Sequence, residues 1–191
     1  MPDILYRPAR ATDAPTIAAI HIANWRDAYR SILDPAFLAG PIEDDRRAHC
    51  LAKLNAPSAD FCVDVATTTD GRMVGFAATH RNLDPRWGSL VDNLHVVADM
   101  RGRKIGETLL RSAARTLAAR QADAGLYLWV FEANEPALRF YRRLGGQVVE
   151  RSISQIPAEN SMTILRVHWP TGSDLFEGPT PGPRQDGPAP P

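Results

Sequence analysis

Apolar positions recur along the chain in two rhythms, and the switches between them mark out the elements. Ile4–Arg7 predicts a short first strand. From Ile17 the spacing turns helical, with Ile17, His21, Trp25, Ala28 and Ile32 on one side. Thr12 and Asp13 offer a cap to this helix, and Pro15 sits in its first turn, where a missing N–H costs nothing. Pro35 and the pair Gly40–Pro41 break the region, and a second helix is expected from Glu43 to Leu54. Phe61–Ala66 and Met73–Thr79 read as strands joined by the tight-turn pair Asp70–Gly71, hence a hairpin. Residues 83–88 read as a loop and Leu90–Val97 as the next strand. A clearly amphipathic helix follows, with Leu109, Leu110, Ala113, Ala114 and Leu117 on one face, and Gly125 is expected to stop it. Leu126–Phe131 is a continuous apolar run, the mark of a strand covered on both faces. Asn134 caps a helix carrying Ala137, Phe140, Tyr141 and Leu144, which Gly145–Gly146 ends. Val148–Ile153 and Met162–Val167 supply the last two strands.

This order predicts an α/β or α+β layered fold around a mixed, mostly antiparallel sheet. A length of 191 residues allows one such domain, placed at residues 1–169, with a core that needs no disulfide or metal. Residues 170–191 change in composition, with many prolines and glycines and few apolar side chains, and read as a disordered tail.

Charge narrows the function classes. Lys and Arg total 22, as do Asp and Glu, so the basic excess of a general nucleic-acid binder is missing. Cys50 and Cys62 come without a ligand cluster, which argues against a zinc site and for two thiols in a reducing compartment. With no signal-peptide pattern and no membrane-length apolar run, a soluble, cytoplasmic protein is expected.

Candidate chemistry lies in two segments. The first is Arg101-Gly-Arg-Lys-Ile-Gly106, between a strand and a helix. A helix N-terminus presents unpaired N–H groups and partial positive charge, so it attracts anions. Gly102 and Gly106 are expected to let the backbone turn tightly against a phosphate, and Arg101, Arg103 and Lys104 add charge there. Ile105 and Glu107 fall in the same stretch. Neither a Walker loop nor a dinucleotide fingerprint fits these spacings. The second segment runs from Asn134 through Ala137 and Phe140 to Tyr141. Asn134 is placed to cap its helix or to reach a ligand amide.

Together these segments resemble the GNAT superfamily of N-acetyltransferases. Its phosphate motif, Gln/Arg-x-x-Gly-x-Gly/Ala, is matched by Arg101 and Gly106, with Ile105 in the variable slot. Its later motif, Asn-x-x-Ala-x-x-Phe-Tyr, is matched in full by Asn134, Ala137, Phe140 and Tyr141. The stretch Trp25–Leu33 is similar to the first helices of many bacterial members, and the likeness covers roughly residues 4–168. There are two departures. Lys104 stands where the family usually has Gly, and Gly146 where an aromatic residue is common, which is expected to loosen the packing behind Tyr141.

The resemblance implies helices on both sheet faces and a splayed strand pair at an acetyl-CoA site, with no metal. It implies direct acetyl transfer to a primary amine of a small molecule or peptide; the alternative is a non-catalytic acyl-CoA sensor. The oxyanion donor would be a backbone N–H near Leu94–Val96, and Leu94, His95 and Val96 would flank the thioester. Tyr141 is the candidate acid for the departing thiolate. An alkyl amine is about one part in a thousand neutral at pH 7, so a base is useful. Asp92, His95 and Glu132 are the candidates, and strand alternation puts Asp92 and His95 on opposite faces unless a bulge intervenes. His21, Trp25 and Tyr29 are expected to wall the acceptor cleft. A homodimer paired through sheet edges is the expected assembly.

Overall fold

The computed structural model describes residues 3–55, 58–119, 125–155, 161–171 and 175. Its strands are β1 (Ile4–Pro8), β2 (Phe61–Thr68), β3 (Met73–Asp84), β4 (Gly88–Val96), β5 (Leu126–Phe131), β6 (Gln147–Ile153) and β7 (Thr163–Trp169). Its helices are α1 (Ala14–Ala28), α2 (Pro35–Ala39), α3 (Pro41–Asn55), α4 (Ile105–Ala118) and α5 (Glu135–Arg143). The seven strands form one sheet in the order β1-β2-β3-β4-β5-β7-β6. Every pairing is antiparallel except β4 with β5, which is parallel and holds at only two positions, Ser89 with Leu126 and Leu90 with Tyr127. Beyond Leu90 the two strands part, and this gap positions the site.

Helices cover both faces. On one side the apolar face of α4 presses Ile105 and Leu109 onto Ala66, Val74 and Ala77, and Leu110, Ala114 and Leu117 onto Leu126, Leu128 and Val167. Leu109 and Leu110 are fully enclosed, and burying each contributes about 1.5–3 kcal/mol. On the other side Ile17 and Ala18 of α1 and Cys50 of α3 pack on Val65 and Phe76. The end of α1, α2 and the start of α3 close over Phe131 through Ile22, Leu38 and Ile42. Neither Cys50 nor Cys62 is in a disulfide, and burial pushes the Cys50 thiol up.

Several boundaries differ from expectation. The first helix ends at Ala28, and Ile32 follows in a turn beside Tyr29. Pro35 opens a short helix rather than only breaking one, because Asp34 accepts the Ala36 N–H at 2.8 Å and proline suits the first helical position. The loop expected at 83–88 shrinks to a tight connection. Asp84, the last residue of β3, accepts the N–H groups of Arg86 (2.8 Å) and Trp87 (3.1 Å), and β4 begins at Gly88.

Gly125 does not stop the helix, which ends at Ala118. It introduces β5, its carbonyl accepts the Ser89 N–H at 2.9 Å, and a Cβ there would lie 2.4 Å from the Trp169 carbonyl. Close backbone approach, not helix termination, demands the glycine. Of the expected tail, residues 172–174 and 176–191 lie outside the described residues. Leu175 is buried in the α4–β5 core, so packing extends past Trp169. Among the described residues no helix is long and apolar enough to cross a membrane.

Candidate active site

Strand geometry builds the first wall of the site. Val97 donates its N–H to Val74 O at 3.0 Å, across the β3–β4 ladder. Antiparallel alternation then turns the amides and carbonyls of Leu94 and Val96 away from β3, toward the side where β5 has parted. These polar groups are what a sheet would ordinarily pair. The splay leaves both groups of Leu94 and the Val96 N–H outside the ladder, while Val96 O accepts from Arg101 Nε at 3.3 Å.

The next turn forms the second wall. Gly102 has φ of 78° and Lys104 φ of 61°, so the chain passes twice through the left-handed region before α4 begins at Ile105. The first-turn N–H groups of Ile105, Gly106 and Glu107 have no intrahelical acceptor and carry the positive end of the helix dipole. Gly106 itself is helical, which corrects its expected part in the tight turn. A Cβ there would meet Val96 and Phe140 at ordinary distances of 3.5 and 3.6 Å, so it keeps space at the cavity wall instead. Lys104 occupies the left-handed position, which explains physically why glycine is usual there.

The third wall is α5. Asn134 Oδ1 accepts the Ala137 N–H at 3.2 Å, so its side chain is a helix cap. Tyr141 packs against Phe140 and, at 6.1 Å, edge-on to Trp169. The expected loosening at Gly146 does not occur. Trp169 from β7 fills that space, with ring atoms 2.7 Å from where a Gly146 Cβ would sit and its Nε1 donating to Leu144 O at 2.8 Å.

The three walls enclose a cavity of about 740 Å³. Leu94, His95, Val96, Arg101, Gly102, Lys104, Ile105, Gly106, Glu107, Asn134, Ala137 and Tyr141 all line it. Arg103, expected to assist, does not. Tyr29 lines it, whereas His21 and Trp25 do not. His21 is buried in the α1 packing, and Trp25 stacks edge-on to His21 and Tyr29 beneath the Arg46 guanidinium. Their helical spacing was core periodicity. Cavity residues without a sequence signal include Asn24, Trp129 and Arg143. They meet the motifs only through the packing of α1, β5 and α5.

The three candidate bases separate. A bulge at Asp92, where Val91 pairs with Thr79 and Asn93 with Ala78, resolves the alternation problem. Asp92 turns to the α3 side, 3.9 Å from His80 Nε2, and His95 stacks with Phe76 and His21 on that same sheet face. Of the two, only His95 lines the large cavity; Asp92 lines a small pocket beside it with His21 and Cys50. Burial, aided by Arg101 and Arg46, pushes the His95 imidazole down to about 3, so it is neutral at physiological pH. Glu132 is not brought to the cavity. It faces outward in a two-bond pair with Arg151 (2.8 and 3.1 Å), which holds its carboxyl below the usual range. Burial pushes the Tyr141 phenol up, so it keeps its proton at neutral pH.

Among the described residues no group of three or more His, Cys, Asp or Glu could hold a metal ion. The cavity gathers backbone N–H groups of β4 and α4, a protonated phenol and a neutral imidazole.

Comparison with known proteins agrees with this geometry. Residues 22–146 match the sequence profile described as the Acetyltransferase (GNAT) family. A stretch of 90 residues is 38% identical to streptothricin acetyltransferase of Streptomyces lavendulae, covering 46% of this chain and 45% of that protein. The chain thus spans less than half the length of this curated relative. The fold is similar to the PaiA N-acetyltransferase of Thermoplasma acidophilum, crystallised with coenzyme A (TM-score 0.71, 18% identity, 87% of this chain and 99% of that one). It is also similar to NAA60 of Arabidopsis thaliana bound to acetyl-CoA (TM-score 0.64, 20% identity, 87% and 98%).

Proposed function

Because this chain belongs to the Acetyltransferase (GNAT) family, we propose that it transfers acetyl from acetyl-CoA to a primary amine of a small molecule or peptide. The observation that carries this reading is the convergence of three features on one cavity: the Leu94–Val96 amides, the α4 N-terminus and Tyr141. The residues fit such a co-substrate. A diphosphate suits the N–H groups of Ile105, Gly106 and Glu107 with Lys104 beside them, and a pantetheine amide suits the β4 edge at Leu94, where β5 has parted. When bound, acetyl-CoA supplies an activated acyl group and a thiolate leaving group.

The chain's own residues then have three tasks. The N–H of Leu94 or Val96 donates to the oxygen that gains charge as the amine attacks, a contribution typically worth about 3 kcal/mol. Tyr141 gives its phenolic proton to the departing sulfur. His95, neutral and beside the cavity, accepts a hydrogen bond from the incoming amine and orients it. Asp92, one layer away, is the group we assign to carry the amine's proton off, through water. Tyr29 and Trp129 supply the acceptor wall. The aromatic wall of Tyr29 and Trp129 suits a small amine with an apolar body, and the likeness to streptothricin acetyltransferase favours a small-molecule acceptor.

The test is a panel of amines with acetyl-CoA, read by thiol release and by mass of the acetylated product. Tyr141→Phe should lower kcat by about 10²–10⁴ while changing coenzyme A affinity by less than about threefold. Wild-type turnover in that variant would remove Tyr141 from its role. Tight binding of acetyl-CoA without turnover on any amine would instead support the sensor reading. We place the activity in the cytoplasm, a reading that Cys50 and Cys62 support by being reduced thiols outside any disulfide. We expect a homodimer paired through β6, an edge strand that exposes Val148, Val149 and Ile153, to be seen by light scattering.

A further inference from the structure

Arg101 opens the phosphate motif, yet its guanidinium is engaged elsewhere. Nη2 donates to Asn24 Oδ1 and Nη1 to Asp27 Oδ2, both at 2.6 Å, and Nε donates to Val96 O at 3.3 Å. Asn24 and Asp27 belong to α1, more than seventy residues away in sequence. Asn24 is buried, and all four residues line the cavity. One side chain thus joins the cofactor turn, the end of β4 and the last turns of α1.

We propose that Arg101 is a positioning residue for the acceptor wall rather than a ligand of the diphosphate. Three of its five N–H donors are spent on protein acceptors, and the Asp27 carboxylate cancels the charge that a phosphate would seek. The clamp holds the segment from Asp27 through Tyr29 to Ile32 at a set distance from β4. It also anchors the Val96 carbonyl, and so the peptide planes on either side of it. Loss of the clamp should loosen the acceptor side and spare the cofactor side. The kinetic part of this inference rests on the acetyltransferase reading; the binding and exchange parts do not.

The experiment compares wild type, R101Q, R101K and D27N in three measurements. Coenzyme A affinity comes from titration calorimetry, hydrogen exchange of the α1 end from mass spectrometry, and KM for amine and acetyl-CoA from turnover. The expected result is that R101Q and D27N each raise exchange over residues 24–31 about threefold to fivefold, as loss of a half-exposed clamp requires. Both should change coenzyme A affinity by less than about threefold and raise the amine KM without moving the acetyl-CoA KM. R101K, which keeps one donor on Asp27, should fall between wild type and R101Q. A loss of coenzyme A affinity of about tenfold or more in R101Q, with α1 exchange unchanged, would mark Arg101 as a diphosphate ligand and overturn the proposal. So would normal exchange in D27N. If no amine is turned over at all, the acetyltransferase reading fails on its own, and affinity and exchange still decide the role of Arg101.

Discussion

Lys104→Gly tests the strain written into the cofactor turn. Lys104 sits at φ 61°, ψ 8°, a conformation that costs a residue with a Cβ about 1–2 kcal/mol. Glycine removes that cost but adds about 0.5–1 kcal/mol of unfolded-state entropy. The groups that stabilise the turn are backbone ones and survive the change, since Lys104 O accepts both the Thr108 N–H (2.9 Å) and its hydroxyl (3.1 Å). The net gain should be about 0.5–1 kcal/mol. For a chain of this length that raises Tm by about 1–4 °C. The same change removes an exposed positive charge at the anion site, worth about 0.2–1 kcal/mol. Coenzyme A should therefore bind up to about fivefold more weakly at low ionic strength, and the difference should shrink in high salt. Calorimetric melting of the ligand-free protein and titration at two salt concentrations measure both effects. A fall in Tm would refute the strain argument, and a salt-independent loss of affinity would refute the charge argument.

Other outcomes follow from the same geometry. Gly146→Ala forces a Cβ within 2.6 Å of Val167 and 2.7 Å of the Trp169 ring, so denaturant melts should show a loss of about 1–3 kcal/mol. Glu132→Gln should leave kcat within about twofold of wild type, because the carboxylate serves Arg151 at the surface; a hundredfold loss would return it to the catalytic site. His95 has a folded pKa near 3, below its unfolded value of about 6.5, so the unfolded chain binds the extra proton between them. Stability should therefore fall as pH drops from about 6.5 toward 3, and His95→Gln should flatten that slope; an unchanged slope would show the ring is not held neutral.

How far the chain could be read without its fold differs by element. Strands β2, β5 and β7 were readable because their apolar runs have one interpretation once flanking turns are placed. Helix α4 was readable for the same reason, its apolar stripe being continuous. Local capping also announced itself, as at Asn134. The chemistry of the turn was half readable. Its charge and its helix start are sequence-local, but which residues turn left is not. Gly106 proved helical, while Lys104 took the left-handed position just before α4.

The site's composition divides along the same line. Short-range order specified the motif residues and, with them, the family: a helix N-terminus and a capped α5 carry their chemistry within a few residues of sequence. Long-range packing chose among the rest. It buried His21, packed Trp25 half-buried against it, sent Glu132 outward to Arg151, and brought His95 and Asp92 to one face through a single extra residue in β4. It also bent Arg101 toward Asn24 and Asp27, a pairing across more than seventy residues. The reason is that periodicity encodes which side of an element is apolar, but not what lies opposite it. The partner of a polar side chain is set by where the sheet opens, and β4 and β5 part only when the whole sheet has formed.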